Sequence, residues 1–418
     1  VKKAENIILV MTIFANSLLL STLTFTGGNY NVFTQSNHWT IIKFILFLAV
    51  IVLFIKEILN TKTIPKKIII VLYSMLLLII LIVANVVLIY SSIHPLLIQD
   101  ILIFGSRSIP VFIVGLLVVK KDKIDIINKH TQVITLYVSF ALVLSFFADE
   151  FFITGNTTAF AGANYQLNSY VSAMMIGLNY YYAFVIDKQQ LYRYLRTNLM
   201  QGVHIVLSIL VLLNIFLTGG RGGVVASIIY TLIILIYILR NKNLFNKLFI
   251  VFIIGLLYTI TVSLLYDPQF YDRFNRAFSF IGQDSFIDIE AANRTIFSRS
   301  ISYIFESPIF GNGLGTYYNI MGTFPHNLFL QVLFEGGIIL LIVLLLLFAF
   351  MIIYFLKLIK LNKNYLLILY ITITHFTLLM FSSTYLRDDI SWLFYGVVCG
   401  MFYKTHKKIQ LQKNNLLH

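Results

Sequence analysis

Charge is what this 418-residue chain has least of: 11% of its residues are charged and 59% are hydrophobic. Soluble domains carry about 25% charged residues, so this chain cannot clothe itself in a water-compatible surface, and a soluble globular fold is excluded. Cysteine is nearly absent. The single Cys399 rules out an internal disulfide and a cysteine metal site, and in its apolar run it reads as a small buried hydrophobe. No cluster of His, Asp and Glu has ligand spacing, so neither a metal nor a cofactor is expected. Only six prolines interrupt the chain. What remains is a succession of apolar runs, the longest of which, such as "IIIVLYSMLLLIILIVANVVLIY", exceed the roughly 20 residues that cross a bilayer. The fold class is therefore all-α, a polytopic membrane helical bundle in a single integral domain over residues 1–418.

The runs predict twelve spans at about 6–26, 40–59, 67–90, 96–119, 130–148, 166–186, 202–218, 223–239, 244–266, 328–356, 365–384 and 389–403. With the N-terminus inside, the inner loops hold 23 of the 31 basic residues. The outer loops hold only Arg221, Arg273, Arg276, Arg294, Arg299 and Arg387, as the positive-inside rule requires. Both termini are thus expected in the cytoplasm. The net charge of +14 is a topology signal, not a nucleic-acid footprint. The first apolar run lacks a small-residue cleavage site and is expected to be a span, not a leader. All six outer basic residues are arginine although lysine is twice as abundant in the chain. A guanidinium presents a planar fork matched to phosphate oxygens, whereas an ammonium is a point charge. Pairing with acids of the same loops is the alternative.

One long polar stretch breaks the pattern, the expected extracytoplasmic loop 267–327, with four arginines, six acids and no lysine. Over 291–306 its periodicity predicts an amphipathic helix, with Ile296, Phe297, Ile301, Ile304 and Phe305 on one face and Arg294, Ser298, Arg299, Ser302 and Glu306 on the other. Such a helix lies on the membrane or on the tops of the spans. Arg294 with Ser298 can address one ligand, while Arg299 is expected to pair with Glu306. "SPIFGNGLGTYYN" follows, with Pro308 ending the helix and Gly311, Gly313 and Gly315 free for unusual dihedrals. No strand precedes it and no Lys-Ser/Thr follows, which excludes a nucleotide loop.

Two further positions carry candidate chemistry. Arg221 stands in "FLTGGRGGVV" where the eighth span begins. Gly220 and Gly222 permit close backbone approach, and the helix N-terminus adds free N–H groups, together an anion site. The alternative is a tight hairpin with a snorkelling arginine. His326 stands in "TFPHNLFLQVLFEGG" at the mouth of the tenth span. There an imidazole can accept a proton near neutral pH, with Asn327 to bind or orient. The alternative is a helix-start residue facing headgroups. Asp100 and Arg107, seven residues apart in the fourth span, should share a face. Arg107 needs a partner there, with Asp388 or Asp389 as alternatives to Asp100, in a structural pair or a substrate cavity. His375, alone in its span, reads as a satisfied core residue.

Together, an outer arginine in a Gly-rich span junction, a second arginine before "PIFGNGLGTY", "PHNLFLQVLFEGG" opening the next span and "AFAGANYQLNSY" at 160–171 resemble the O-antigen ligase/polymerase superfamily. The resemblance covers about 155–345. It implies a bacterial cytoplasmic-membrane enzyme acting on polyprenyl-diphosphate-linked glycans at the extracytoplasmic face. Arg221 and Arg294 would hold the diphosphate and His326 would deprotonate the acceptor hydroxyl. Arg299, Asn327, Gly220, Gly222, Asn164 and Arg107 would be substrate-binding. Repeat-unit polymerase, with a flippase and a chain-length regulator as partners, is the first reading. Transfer to another acceptor as a ligase, or lipid-linked oligosaccharide transport, are the alternatives.

Overall fold

The computed structural model describes residues 2–35, 37–61, 66–145, 163, 165–218, 220–239, 255 and 295–402. Among them every regular element is helical. Helix α1 spans Lys2–Thr26, the short α2 Tyr30–Gln35, α3 Asn37–Thr61 and α4 Lys66–Tyr90. Next come α5 (Pro95–Ile103) and α6 (Ile109–Lys120), continuous through a π-helical turn at Phe104–Ser108, and α7 (Ile124–Leu144). They are followed by α8 (Tyr165–Tyr180), α9 (Asn198–Thr218) and α10 (Arg221–Leu239). The last group is α11 (Thr295–Glu306), α12 (Tyr317–Met321), α13 (Leu328–Leu361), α14 (Leu366–Phe381) and α15 (Ser391–Phe402).

Each expected span except the ninth overlies one of these helices; 244–266 lies, Gly255 apart, outside the described residues. Six described helices are long and apolar enough to cross a membrane, and the chain is a multi-pass membrane protein. A count of twelve remains an expectation. Apolar side chains turned outward on α13, among them Ile342, Val343, Leu346 and Ile353, suit a lipid-facing helix.

At the centre, α7, α8 and α9 are joined by buried polar side chains. Asn179 Nδ2 donates to Ser139 Oγ at 2.8 Å, His204 Nδ1 lies 2.7 Å from Asn179 Oδ1, and Gln132 Nε2 lies 3.2 Å from His204 Nε2. Asn168 Nδ2 donates to Asn214 Oδ1, and Asn214 Nδ2 to the Leu142 carbonyl. Interhelical hydrogen bonds of this kind contribute about 0.6 kcal/mol each in lipid and fix helix register. Elsewhere glycine brings backbones together: a Cβ on Gly396 would lie 2.0 Å from the Phe112 carbonyl oxygen, so α15 crosses α6 in direct contact.

The bundle has two chemically distinct ends. At one, Lys120 pairs with Glu57 at 3.0 Å, Lys121 with Glu5 at 2.8 Å, and Lys123 Nζ donates to Asn6. Asn364, after α13, donates to Asp125 at the start of α7. The start of α1, the ends of α3, α6 and α13, and the start of α7 therefore meet, in the alternation that the basic-residue tally requires. The opposite end carries the candidate site.

Candidate functional site

The site is built on a break in α13. At Gly337 the backbone turns to φ 59°, ψ −159°, inside what the sequence presents as one uninterrupted span. The segment after α11 repairs the break. Asn312 N–H donates to the Phe334 carbonyl at 2.7 Å, Gly313 N–H to the Glu335 carbonyl at 3.0 Å, and Ile338 N–H to the Pro308 carbonyl at 2.9 Å. Irregular backbone inside a membrane protein is stable where such partners replace the lost helical bonds. The approach is so close that a Cβ on Gly311 would lie 2.5 Å from the Glu335 backbone, and one on Gly337 2.3 Å from that of Ile309. Gly311, Gly313 and Gly315 adopt φ of +70°, +102° and +75°, as their expected role in the turn requires. Gly315 N–H then donates to the buried Glu335 carboxylate, which also accepts the Tyr385 hydroxyl at 3.0 Å.

α11 forms where the amphipathic helix is expected and packs on α13, with Tyr303 edge-on to Phe334. Its buried side runs through Ser300 and the half-buried Ile296, Phe297 and Ile304, while Ile301 and Phe305 stay exposed, as for a helix resting on the bilayer surface. Arg299 is exposed and forms no ion pair with Glu306, which corrects the expected pair. Two turns separate them, about 10 Å along the axis, beyond ion-pair reach. Arg294 and Asn164 lie outside the described residues.

From the repaired break the chain runs through α12 to Phe324 and His326. His326 has a left-handed backbone, φ 55°, immediately before α13. It is Asn327, not His326, that caps the helix: Oδ1 accepts from Phe329 N–H (3.0 Å) and Leu330 N–H (3.1 Å), and Nδ2 donates to the Met380 carbonyl. Asn327 is thus committed to orienting its neighbour. The His326 ring lies 4.2 Å from that of Phe324, tilted against it, and its partner on α14's end is the backbone of Ser382. Burial, and then the nearby Arg387 charge, hold the imidazole below its ordinary pKa, so it is a neutral proton acceptor at pH 7.

Arg387 is the residue that sequence reasoning passed over. Its guanidinium lies 5.5 Å over the Phe324 ring, its Nε pairs with Asp100, and its Nη2 donates to the Tyr318 hydroxyl at 3.2 Å. Tyr318 in turn donates to the other Asp100 oxygen at 2.7 Å. His94 stacks on Tyr318 at 5.4 Å and caps α5 by accepting the Leu96 N–H on Nδ1. Asp100 and Arg107 therefore do not share one face. The wider turn at Phe104–Ser108 swings Arg107 away from Arg387, into a cavity of about 40 Å³ with Lys43 and Asp389. Of the two aspartates offered to Arg107, Asp389 is the one that faces it.

His375 is satisfied, as expected. Its Nδ1 lies 2.6 Å from Asp388 Oδ1, and Asp388 Oδ2 accepts the Ser391 N–H at the start of α15. The ligand atoms of His375, Asp388 and Asp389 lie within 4.8 Å of one another, close enough to hold a metal ion, an arrangement that sequence spacing had not shown. Both carboxylates also have protein counterparts, His375 for Asp388 and the cations Arg107 and Lys43 for Asp389.

Arg221 is the first residue of α10, so the helix start and the guanidinium coincide as expected. The flanking glycines serve packing: a Cβ on Gly220 would lie 2.3 Å from Ser169 Cβ, and one on Gly222 1.9 Å from the Tyr170 hydroxyl oxygen. Tyr170 Oη lies 3.2 Å from Ser382 Oγ, and Ser382 is also the backbone partner of His326. The Arg221 turn and His326 thus converge on one residue at the end of α14.

Residues 206–345, from α9 into α13, match the family model described as O-antigen ligase. Over that segment the chain is similar to the O-antigen ligase/polymerase superfamily. The matched third of the chain holds Arg221, Arg294, Arg299, His326, the glycine turn and the α13 break, while Asp100 and Arg387 fall outside it. No curated protein matches the chain.

Proposed function

We propose that the protein is an oligosaccharide repeat-unit polymerase, which transfers a glycan from a polyprenyl-diphosphate-linked donor to a hydroxyl of a lipid-linked acceptor. The observation that carries this reading is the convergence of the Arg221 turn and His326, both within the segment that matches O-antigen ligase, on Ser382 at the end of α14. Glycosyl transfer from a lipid diphosphate needs the departing charge stabilised and the incoming hydroxyl deprotonated. Arg221, the α10 N-terminus and Arg294 supply the first, and His326 the second. The acceptor oxygen attacks the anomeric carbon as its proton passes to the imidazole. The carbon–oxygen bond to the diphosphate breaks with its electron pair on the diphosphate, and the configuration inverts. The reaction belongs to the extracytoplasmic face of the cytoplasmic membrane, where a flippase delivers the donor and a chain-length regulator acts on the product.

Purified protein incubated in detergent with lipid-linked repeat unit is expected to yield a ladder of longer glycans. A single product on a different acceptor would identify a ligase instead. Movement of lipid between leaflets with no new glycosidic bond would identify a carrier and overturn the proposal.

A further inference from the structure

The Asp100–Arg387 pair has no place in diphosphate chemistry. Asp100 is fully buried and holds Arg387 through Nε, while Tyr318 holds one Nη2 hydrogen. The pair is neutral overall, which makes it a poor counterion for a diphosphate. Three of the five guanidinium N–H donors remain uncommitted among these contacts, on a side chain that is 32% exposed. Two planar rings border it. One is His326, reached through Phe324, and the other is His94, half exposed on the outer side of Tyr318. Because His94 Nδ1 accepts the Leu96 N–H, its proton sits on Nε2, a further donor. A rigid donor fork whose charge Asp100 offsets, bordered by two imidazoles through Phe324 and Tyr318, suits hydroxyl and carbonyl oxygens of a sugar ring. It also lies beside the group that would take the proton from the attacking hydroxyl.

We infer that Arg387, anchored by Asp100 and Tyr318 and flanked by His94, forms the acceptor-sugar subsite. This inference rests on the transferase reading above. The ligand class is an uncharged saccharide presenting neighbouring hydroxyl or acetamido oxygens. It divides the labour at the site, with Arg221 for the phosphates of the donor and Arg387 for the sugar of the acceptor.

The test is equilibrium binding of two probes to the purified full chain. One is the repeat-unit oligosaccharide freed of lipid and phosphate, followed by saturation-transfer NMR; the other is polyprenyl diphosphate without sugar. Arg387→Lys is expected to weaken saccharide binding about tenfold and leave polyprenyl diphosphate binding within about twofold, since it removes hydrogen bonds but no charge. Asp100→Asn should act in the same direction. If it fails to fold, Arg387→Lys and His94→Ala carry the test, with thermal unfolding as the check. Equal loss of both probes, or unchanged saccharide binding in Arg387→Lys, would overturn the subsite. The absence of any glycosidic product from the wild-type protein would instead overturn the transferase reading, so the two failures are distinguishable.

Discussion

At the scale of single residues, the proposed transfer turns on two groups whose chemistry cannot be exchanged for a near relative. Arg221→Lys keeps the charge but loses the planar fork, and transfer should fall on the order of a hundredfold. His326→Ala should lower turnover about 10²–10⁴-fold while donor binding persists. Steady-state rates beside polyprenyl diphosphate binding check both, and near-wild-type turnover in His326→Ala would move the base elsewhere. The pH profile follows from the state of His326. Burial and Arg387 favour the neutral ring, so the active form persists through pH 7 and is lost only as pH falls through the lowered folded value. The acid limb should therefore lie below the ordinary histidine value of about 6.5. In Arg387→Gln the limb should move up towards it, and an unmoved limb would show that another group titrates. The same shift makes acid destabilising. Below about 6.5 the unfolded chain takes up this proton first, so folding stability falls between there and the folded value. The places of Arg221 and His326 at helix starts were legible in the sequence because each carries its local context, a glycine-flanked helix start and a Pro-His-Asn before an apolar run. Arg387 was not. Its partner Asp100 stands 287 positions away, and neither residue carries a local signal of the other.

At the scale of elements, apolar runs gave the helices away, and the amphipathic period of α11 placed it within a few residues. The interruptions inside helices were hidden. "FLQVLFEGGII" reads as one continuous span because the bonds that make a break tolerable come from residues 308–313, which looked only like a flexible turn. The two glycine-rich pieces explain each other once paired. The π-helical turn at Phe104–Ser108 likewise left no mark on hydropathy, yet it decides which acid each arginine meets. The pairing can be tested by comparing glycines. Gly337 has a conformation open essentially to glycine alone and backbone at 2.3 Å from any Cβ, so Gly337→Ala should cost about 3 kcal/mol or more. Gly322 also has positive φ, +77°, but nothing within 4 Å, so Gly322→Ala should cost only about 1 kcal/mol. Thermal unfolding in detergent measures both. Equal losses would mean that the close packing against Ile309 is not what holds the break.

At the scale of the whole molecule, the two ends of the bundle differ in kind, lysines and glutamates at one and arginine, histidine and tyrosine at the other. The positive-inside rule assigns the lysine end to the cytoplasm. The proposed transfer requires that orientation, so that the Arg221–His326 end faces outward, and it can be tested without knowing the substrate. With Cys399→Ala as background, Ser92→Cys places a thiol on the exposed connection just before His94, at the candidate-site end. Lys363→Cys places one beside Asn364 and Asp125, at the opposite end. A membrane-impermeant maleimide applied to intact cells should label the first, and should reach the second only after lysis. The reverse pattern would put His326 in the cytoplasm. No acceptor chemistry at the outer face could then be drawn from it, however well the ring is poised.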